Sequence, residues 1–191
     1  MQASAITLQQ AQADMRRAYF DGAPGIASSS AVWAAAGLAA VFASPREAVL
    51  ALLFGGMLIH PLALLLCRGL GRSAKHDQRN PLASLAMATT VWLILSLPLA
   101  YVVSLHRVEW FFPAMLCVIG GRYMTFHALY GLRTYLLCGG VLAVAAFGLV
   151  RIGAGPATGA FAGAVIEAVF AAVMFRNAGI ARMSPASTVG D

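Results

Sequence analysis

The sequence predicts an all-α membrane protein: one bundle of six transmembrane helices, preceded by a short amphipathic helix. Three observations predict it. Of the 191 residues, 60% are hydrophobic and only 10% charged, against about 25% charged in a typical soluble domain. The apolar residues run in blocks long enough to cross a bilayer, without strand-like alternation. The arginines collect at the ends of those blocks, where topology is set and lipid headgroups are met. Such a chain lacks the polar surface to cover a water-soluble globule. Its net charge of +6 is not gathered into a basic patch with interleaved aromatics, which argues against a nucleic-acid partner.

A helix needs about 20 apolar residues to span the hydrocarbon core. Six blocks qualify, at roughly 25–43, 47–67, 82–105, 110–130, 133–151 and 156–176. Ser44-Pro45-Arg46-Glu47 reads as a capping box opening the second block. Asn80-Pro81 opens the third and Pro156 the sixth. Trp110-Phe111-Phe112 marks an interfacial aromatic belt at the start of the fourth. Ahead of the spans, Leu8, Ala11, Met15 and Tyr19 recur at helical spacing, with Gln9, Gln12, Arg16 and Arg17 on other faces. That pattern suits a short helix on the membrane surface, and "DGAPG" at 21–25 turns it into the first span. The expected organisation is an N-terminal segment 1–24, a transmembrane domain 25–176 and a tail 177–191, disordered from residue 183.

The connections orient the bundle. Arg16, Arg17, Arg68, Arg72, Lys75, Arg79, Arg133, Arg176 and Arg182 fall on one side; Arg46, Arg107 and Arg151 fall on the other. By the positive-inside rule both termini are expected in the cytoplasm, in an inner (plasma) membrane. A cleaved signal peptide fits poorly, since a cut after "VFAS" would fall next to Pro45 and five more spans follow.

Two formal charges lie deep within spans, Arg122 in the fourth and Glu167 in the sixth. An arginine at a helix centre is unfavourable by about 2.5–3.5 kcal/mol on insertion scales, and it stays protonated, so it requires an anion, water or carbonyl groups. Both even-numbered spans run in the same direction. Arg122 lies 12 residues past Trp110 and Glu167 11 past Pro156, so at about 1.5 Å per residue both sit near mid-membrane. Gly159, Gly163 and Glu167 share one face of their helix, and Gly-x-x-x-Gly admits a close neighbour. The sequence-based expectation is a buried Arg122–Glu167 ion pair, either specifying helix packing alone or forming a polar centre for a small anion, ion or proton. Tyr123, His127 and Tyr130 border Arg122 on a polar arc, and His60 lies at a similar level in the second span, before Pro61. His60 and His127 are candidate titrating groups. The Gly120-Gly121 pair, like Gly159 and Gly163, is read as a helix-packing device, because the strand-turn-helix context of a phosphate loop is missing.

No Ser-His-acid set and no H-E-x-x-H motif is visible, so no catalytic residue is assigned. The cysteines, Cys67, Cys117 and Cys138, have no metal-ligand spacing, and no metal or cofactor is expected. Two functions remain open: a small permease or transport-related protein centred on Arg122 and Glu167, and a structural or assembly protein in which the same residues only lock helix packing.

"DGAPG", "FGGMLIHPL" and "WFFPAMLCVIGGRYMTFHALYG" resemble segments of a family of small uncharacterised bacterial integral membrane proteins. The resemblance covers about residues 15–178 and is most specific at Gly120, Gly121, Arg122 and Tyr123. It implies the six-helix architecture and brings no substrate, cofactor or catalytic residue with it.

Overall fold

The structure, a computed structural model, describes residues 6–183, with side chains as far as residue 179. Every regular element in that range is helical. A short α1 (Leu8–Tyr19) passes through a 3-10 turn (Phe20–Gly22) into α2 (Ala23–Phe42). Then follow α3 (Pro45–Gly69), α4 (Leu82–His106), α5 (Phe111–Tyr130, entered from a 3-10 turn at Val108–Trp110), α6 (Thr134–Arg151) and α7 (Pro156–Met183). The expected disordered tail lies, beyond Met183, outside the described residues. Up to that point the chain continues α7 past the expected end at 176.

Among the described residues five segments are long and apolar enough to cross a membrane: Leu8–Phe42, Pro45–Gly69, Leu82–His106, Thr134–Arg151 and Pro156–Gly179, with mean hydropathy from 1.6 to 2.3. This is the architecture of a multi-pass membrane protein. The remaining long helix, α5, carries Arg122, Tyr123 and His127 and falls short in hydropathy. It compensates by burial: ten of its residues are enclosed by protein, among them Phe111, Phe112, Leu116, Ile119 and Tyr123. α5 is thus largely an inner member of the bundle, with Tyr123 enclosed by protein and Arg122 half-buried.

Sequence punctuation sets the ends. Ser44 Oγ accepts from the Glu47 amide at 3.2 Å and Pro45 occupies the first turn of α3, as an N-cap should. Asn80 Oδ1 accepts from the Leu82 amide at 3.0 Å where α4 begins. Gly131 takes the left-handed conformation (φ 69°) that closes α5. Pro61 and Pro98 lie inside continuous helices.

Small residues decide which helices pack closely. α2 packs most extensively against α7 and α3, and α5 against α6; α4 leans on α5 and barely meets α3. At the α5–α6 contact Gly120 and Gly139 face each other so closely that a methyl group on either would overlap the other's carbonyl. At the α2–α7 contact Gly37 accommodates the Phe161 ring and Gly163 accommodates Trp33, which is fully enclosed.

The N-terminal helix is more than a surface float. Thr7 and Gln10 form a capping box at its start, and Ala11, Met15 and Ala18 are buried against the bundle. Gln12 Nε2 donates to the Ala128 carbonyl at 2.8 Å, and an Arg16 guanidinium N–H donates to the Tyr130 carbonyl. α1 therefore supplies side-chain partners to the last turn of α5, whose carbonyls have no helical partner of their own. Asp14 Oδ2 accepts from the Asp77 amide (2.9 Å) and from Asn80 Nδ2 (2.8 Å), and Asn80 Nδ2 also reaches the Ala11 carbonyl. One small helix thus joins the end of α5 to the start of α4. The sharp "DGAPG" turn beyond it has positive φ at Phe20, Asp21 and Gly22. Only glycine fits at Gly22, since the Tyr135 hydroxyl occupies the space a Cβ would fill while donating to the Asp21 carbonyl at 2.8 Å.

Candidate functional site

The two deep charges occupy different places. Glu167 lies on the face of α7 that meets α2 and α5 and is 0% exposed. Its Oε1 accepts from the Tyr123 hydroxyl of α5 at 2.9 Å, and Ser29 of α2 adjoins both the carboxyl and the phenol. One turn earlier on α7, Gly163 lets in Trp33; a turn before that, Gly159 lets in Phe112. Ser30 Oγ donates to the Ala164 carbonyl at 2.8 Å. This node joins three helices, and two of its buried atoms, Glu167 Oε2 and Trp33 Nε1, have no well-formed hydrogen bond.

Arg122 points elsewhere. Consecutive residues on an α-helix project about 100° apart, so a tyrosine directed at α7 leaves its neighbour directed at α4. Arg122 Nη2 donates to Thr90 Oγ1 of α4 at 3.1 Å, and its guanidinium lies 5.3 Å from the centre of the Phe126 ring, a cation–π contact. Nε is buried without an acceptor. Thr90 Oγ1 in turn donates to the Ala86 carbonyl at 3.0 Å. Beside the guanidinium a groove of about 310 Å³ opens between α4 and α5, lined by Ala88, Thr89, Trp92, Gly121, Arg122 and Thr125.

The expected Arg122–Glu167 ion pair is therefore not formed. Arg122 bonds to Thr90, and Glu167 bonds to Tyr123, the residue next to Arg122. The physical reason is azimuth: counting residues gives depth along a helix, whereas partnership also requires the correct face. The remaining members of the expected polar centre are also dispersed. His60 is exposed on the outer side of α3. His127 is half-buried, with its Nδ1 unpartnered. Tyr130 is buried near the α1 end, its ring stacked on Tyr135 with centroids 5.3 Å apart. Neither histidine nor the Tyr130 hydroxyl hydrogen-bonds Arg122 or Glu167 among the described residues. Of the four glycines singled out, Gly120, Gly159 and Gly163 each face a close neighbour, while Gly121 faces open space and lines the groove.

The sequence reading leaves out Ser29, Ser30 and Thr90, and it names Gln12, Arg16 and Asn80 without the cross-helix bonds they make. A signal existed for the serines: Ser28-Ser29-Ser30 is a polar run inside an apolar block, and each member has a separate use. Ser28 Oγ returns to the Pro24 carbonyl of its own helix, Ser29 adjoins Glu167, and Ser30 crosses to α7. Thr89-Thr90 is a similar run in α4. Among the described residues no cluster of His, Cys, Asp and Glu has metal-site geometry.

The model of a family described as "Family of unknown function (DUF7010)" matches residues 8–177. No curated protein and no solved structure matches the chain.

Proposed function

The chain belongs to that family of unknown function, and on that premise we propose that it is a small permease or transport-related protein whose Arg122 is an anion-binding charge. One observation carries this reading. Arg122 borders an open groove between α4 and α5, and no described residue offers it a carboxylate. Of the seven acidic residues, Glu167 alone lies deep in a span, and it is enclosed with Tyr123. A guanidinium kept within a bilayer without an internal counter-charge is a functional feature by default, since simple packing is served better by an apolar side chain. The arginine-rich end, where α1, the 70–81 connection and the α5–α6 turn meet, is the cytoplasmic end in this reading, with both termini there and the protein in a bacterial-type inner membrane.

Glu167 has the other role. Sealed and bonded to Tyr123, it supports a structural reading of its own node: a carboxyl that fixes how α5 and α7 meet. If every polar group of the bundle acted in this way, the protein would be a non-transporting assembly component. Flux separates the two readings. Purified protein in liposomes is screened with a panel of small inorganic and organic anions, alongside Arg122→Gln and Glu167→Gln. The expected result is flux of at least one anion that falls about tenfold or more in Arg122→Gln, equivalent to the loss of a charge-assisted contact. No anion flux, or flux indifferent to Arg122, would leave the structural reading standing.

A further inference from the structure

We infer that the α4–α5 groove takes an anionic amphiphile from the bilayer, its oxyanion on Arg122 and its apolar chain along α4. The inference rests on the reading of Arg122 as an anion-binding charge and adds the class of occupant. Three features point to it.

First, the groove carries a cation with unused donors. Of the five N–H donors of a guanidinium, one reaches Thr90 and none reaches another described side chain or carbonyl. The fork suits a carboxylate or phosphate oxygen pair. Thr125, whose hydroxyl donates to the Arg122 carbonyl at 2.7 Å, and Thr89 complete the polar lining of the groove.

Second, the rest of the lining is apolar. Ala88, Trp92 and Gly121 form it, and Trp92 is 64% exposed. On the surrounding surface of α4, Met87, Val91 and Leu95 are exposed as well. A water-soluble anion would gain nothing from these walls. An anion attached to a hydrocarbon chain gains on both parts and reaches the groove laterally, without crossing an aqueous path.

Third, a second copy of this chain does not fit the charge. Its own deep carboxyl, Glu167, is enclosed among α2, α5 and α7, and its other acidic residues lie outside the deep parts of the spans. The counter-charge thus comes from a different molecule, and in a bilayer the molecules at hand are lipids.

Trp92 makes the groove observable. The full chain carrying Trp110→Phe retains enclosed Trp33 and groove-lining Trp92, and is reconstituted in nanodiscs of zwitterionic lipid. The probes are a brominated fatty acid, ionised at the chosen pH, and the corresponding brominated alcohol at equal mole fraction. The expected result is that the acid quenches tryptophan fluorescence at least about tenfold more effectively than the alcohol, as a net charge-assisted hydrogen bond would give. The preference is expected to vanish in Arg122→Gln, to persist in Arg122→Lys and to be unaffected by inorganic phosphate. Equal quenching by acid and alcohol in the Trp110→Phe protein would overturn the inference, and this comparison needs no second variant to fold. A preference retained in Arg122→Gln would overturn it too. Relief of quenching by phosphate would overturn the bilayer origin while leaving Arg122 as an anion site, so the two proposals fail separately.

Discussion

Glu167 and Arg122 lie in adjacent territory of one bundle and are treated in opposite ways. Around Glu167, glycines at 159, 163 and 37 draw helices and rings together, the carboxyl is wholly enclosed and a tyrosine hydroxyl meets it. Around Arg122, α4 rests on α5 with little other support, Gly121 faces open space and a groove reaches the charge. A small membrane bundle thus divides its polar residues by how closely the helices around them pack. A polar side chain among close-packed small residues becomes part of the packing. One at a loose helix pair stays available to something outside the chain.

The sharpest way to break this contrast is to disturb the close-packed side. Gly139→Val places a branched side chain against the Gly120 carbonyl and is expected to prevent assembly or to lower stability by about 3 kcal/mol or more, whereas Gly121→Ala leaves unfolding in mixed micelles unchanged. Tolerance of Gly139→Val would mean that α5 and α6 do not approach as described. Next in size is Glu167→Ala. It leaves a cavity, removes the acceptor of the Tyr123 hydroxyl and is expected to destabilise by about 2–4 kcal/mol. Glu167→Gln retains a carbonyl acceptor and should fall within about 1 kcal/mol of wild type.

A smaller effect belongs to α1. Arg16→Ala removes the donor to the Tyr130 carbonyl, and a loss of about 1 kcal/mol is expected, together with faster amide exchange in the last turn of α5. Unchanged exchange there would show that α1 merely lies alongside. The smallest effect is expected at the other deep charge. Arg122→Gln should alter stability by no more than about 0.5 kcal/mol, or raise it, because a half-enclosed cation with only neutral partners, the Thr90 hydroxyl and the Phe126 ring, contributes little to folding.

How much of this was legible in the sequence follows from what each signal measures. Length and hydropathy are properties of one helix, and proline and serine mark its start, so Ser44-Pro45 and Pro156 opened α3 and α7 without any knowledge of neighbours. The depth of Arg122 and Glu167 was likewise countable. Their facing was not, because it depends on which helices flank α5. A clue was present: Leu116, Ile119, Gly120 and Tyr123 form the buried stripe of α5 at helical spacing, and Arg122 lies off that stripe beside Cys117, Gly121 and Thr125, all exposed. Residue type drew attention to the charge, while the periodicity already assigned the inner position to the tyrosine. The role of α1 was hidden for a different reason. Capping another helix's carbonyls leaves no periodic mark, and Gln12 and Arg16 read the same whether they face water, headgroups or the end of α5.

The central claim, that the two deep charges belong to separate sites, is tested most directly by a double-mutant cycle on unfolding in mixed micelles. The cycle uses Arg122→Gln, Glu167→Gln and the double variant. Separate sites predict a coupling energy below about 0.5 kcal/mol. A coupling of about 3 kcal/mol or more, the signature of a buried ion pair broken from either side, would contradict the account.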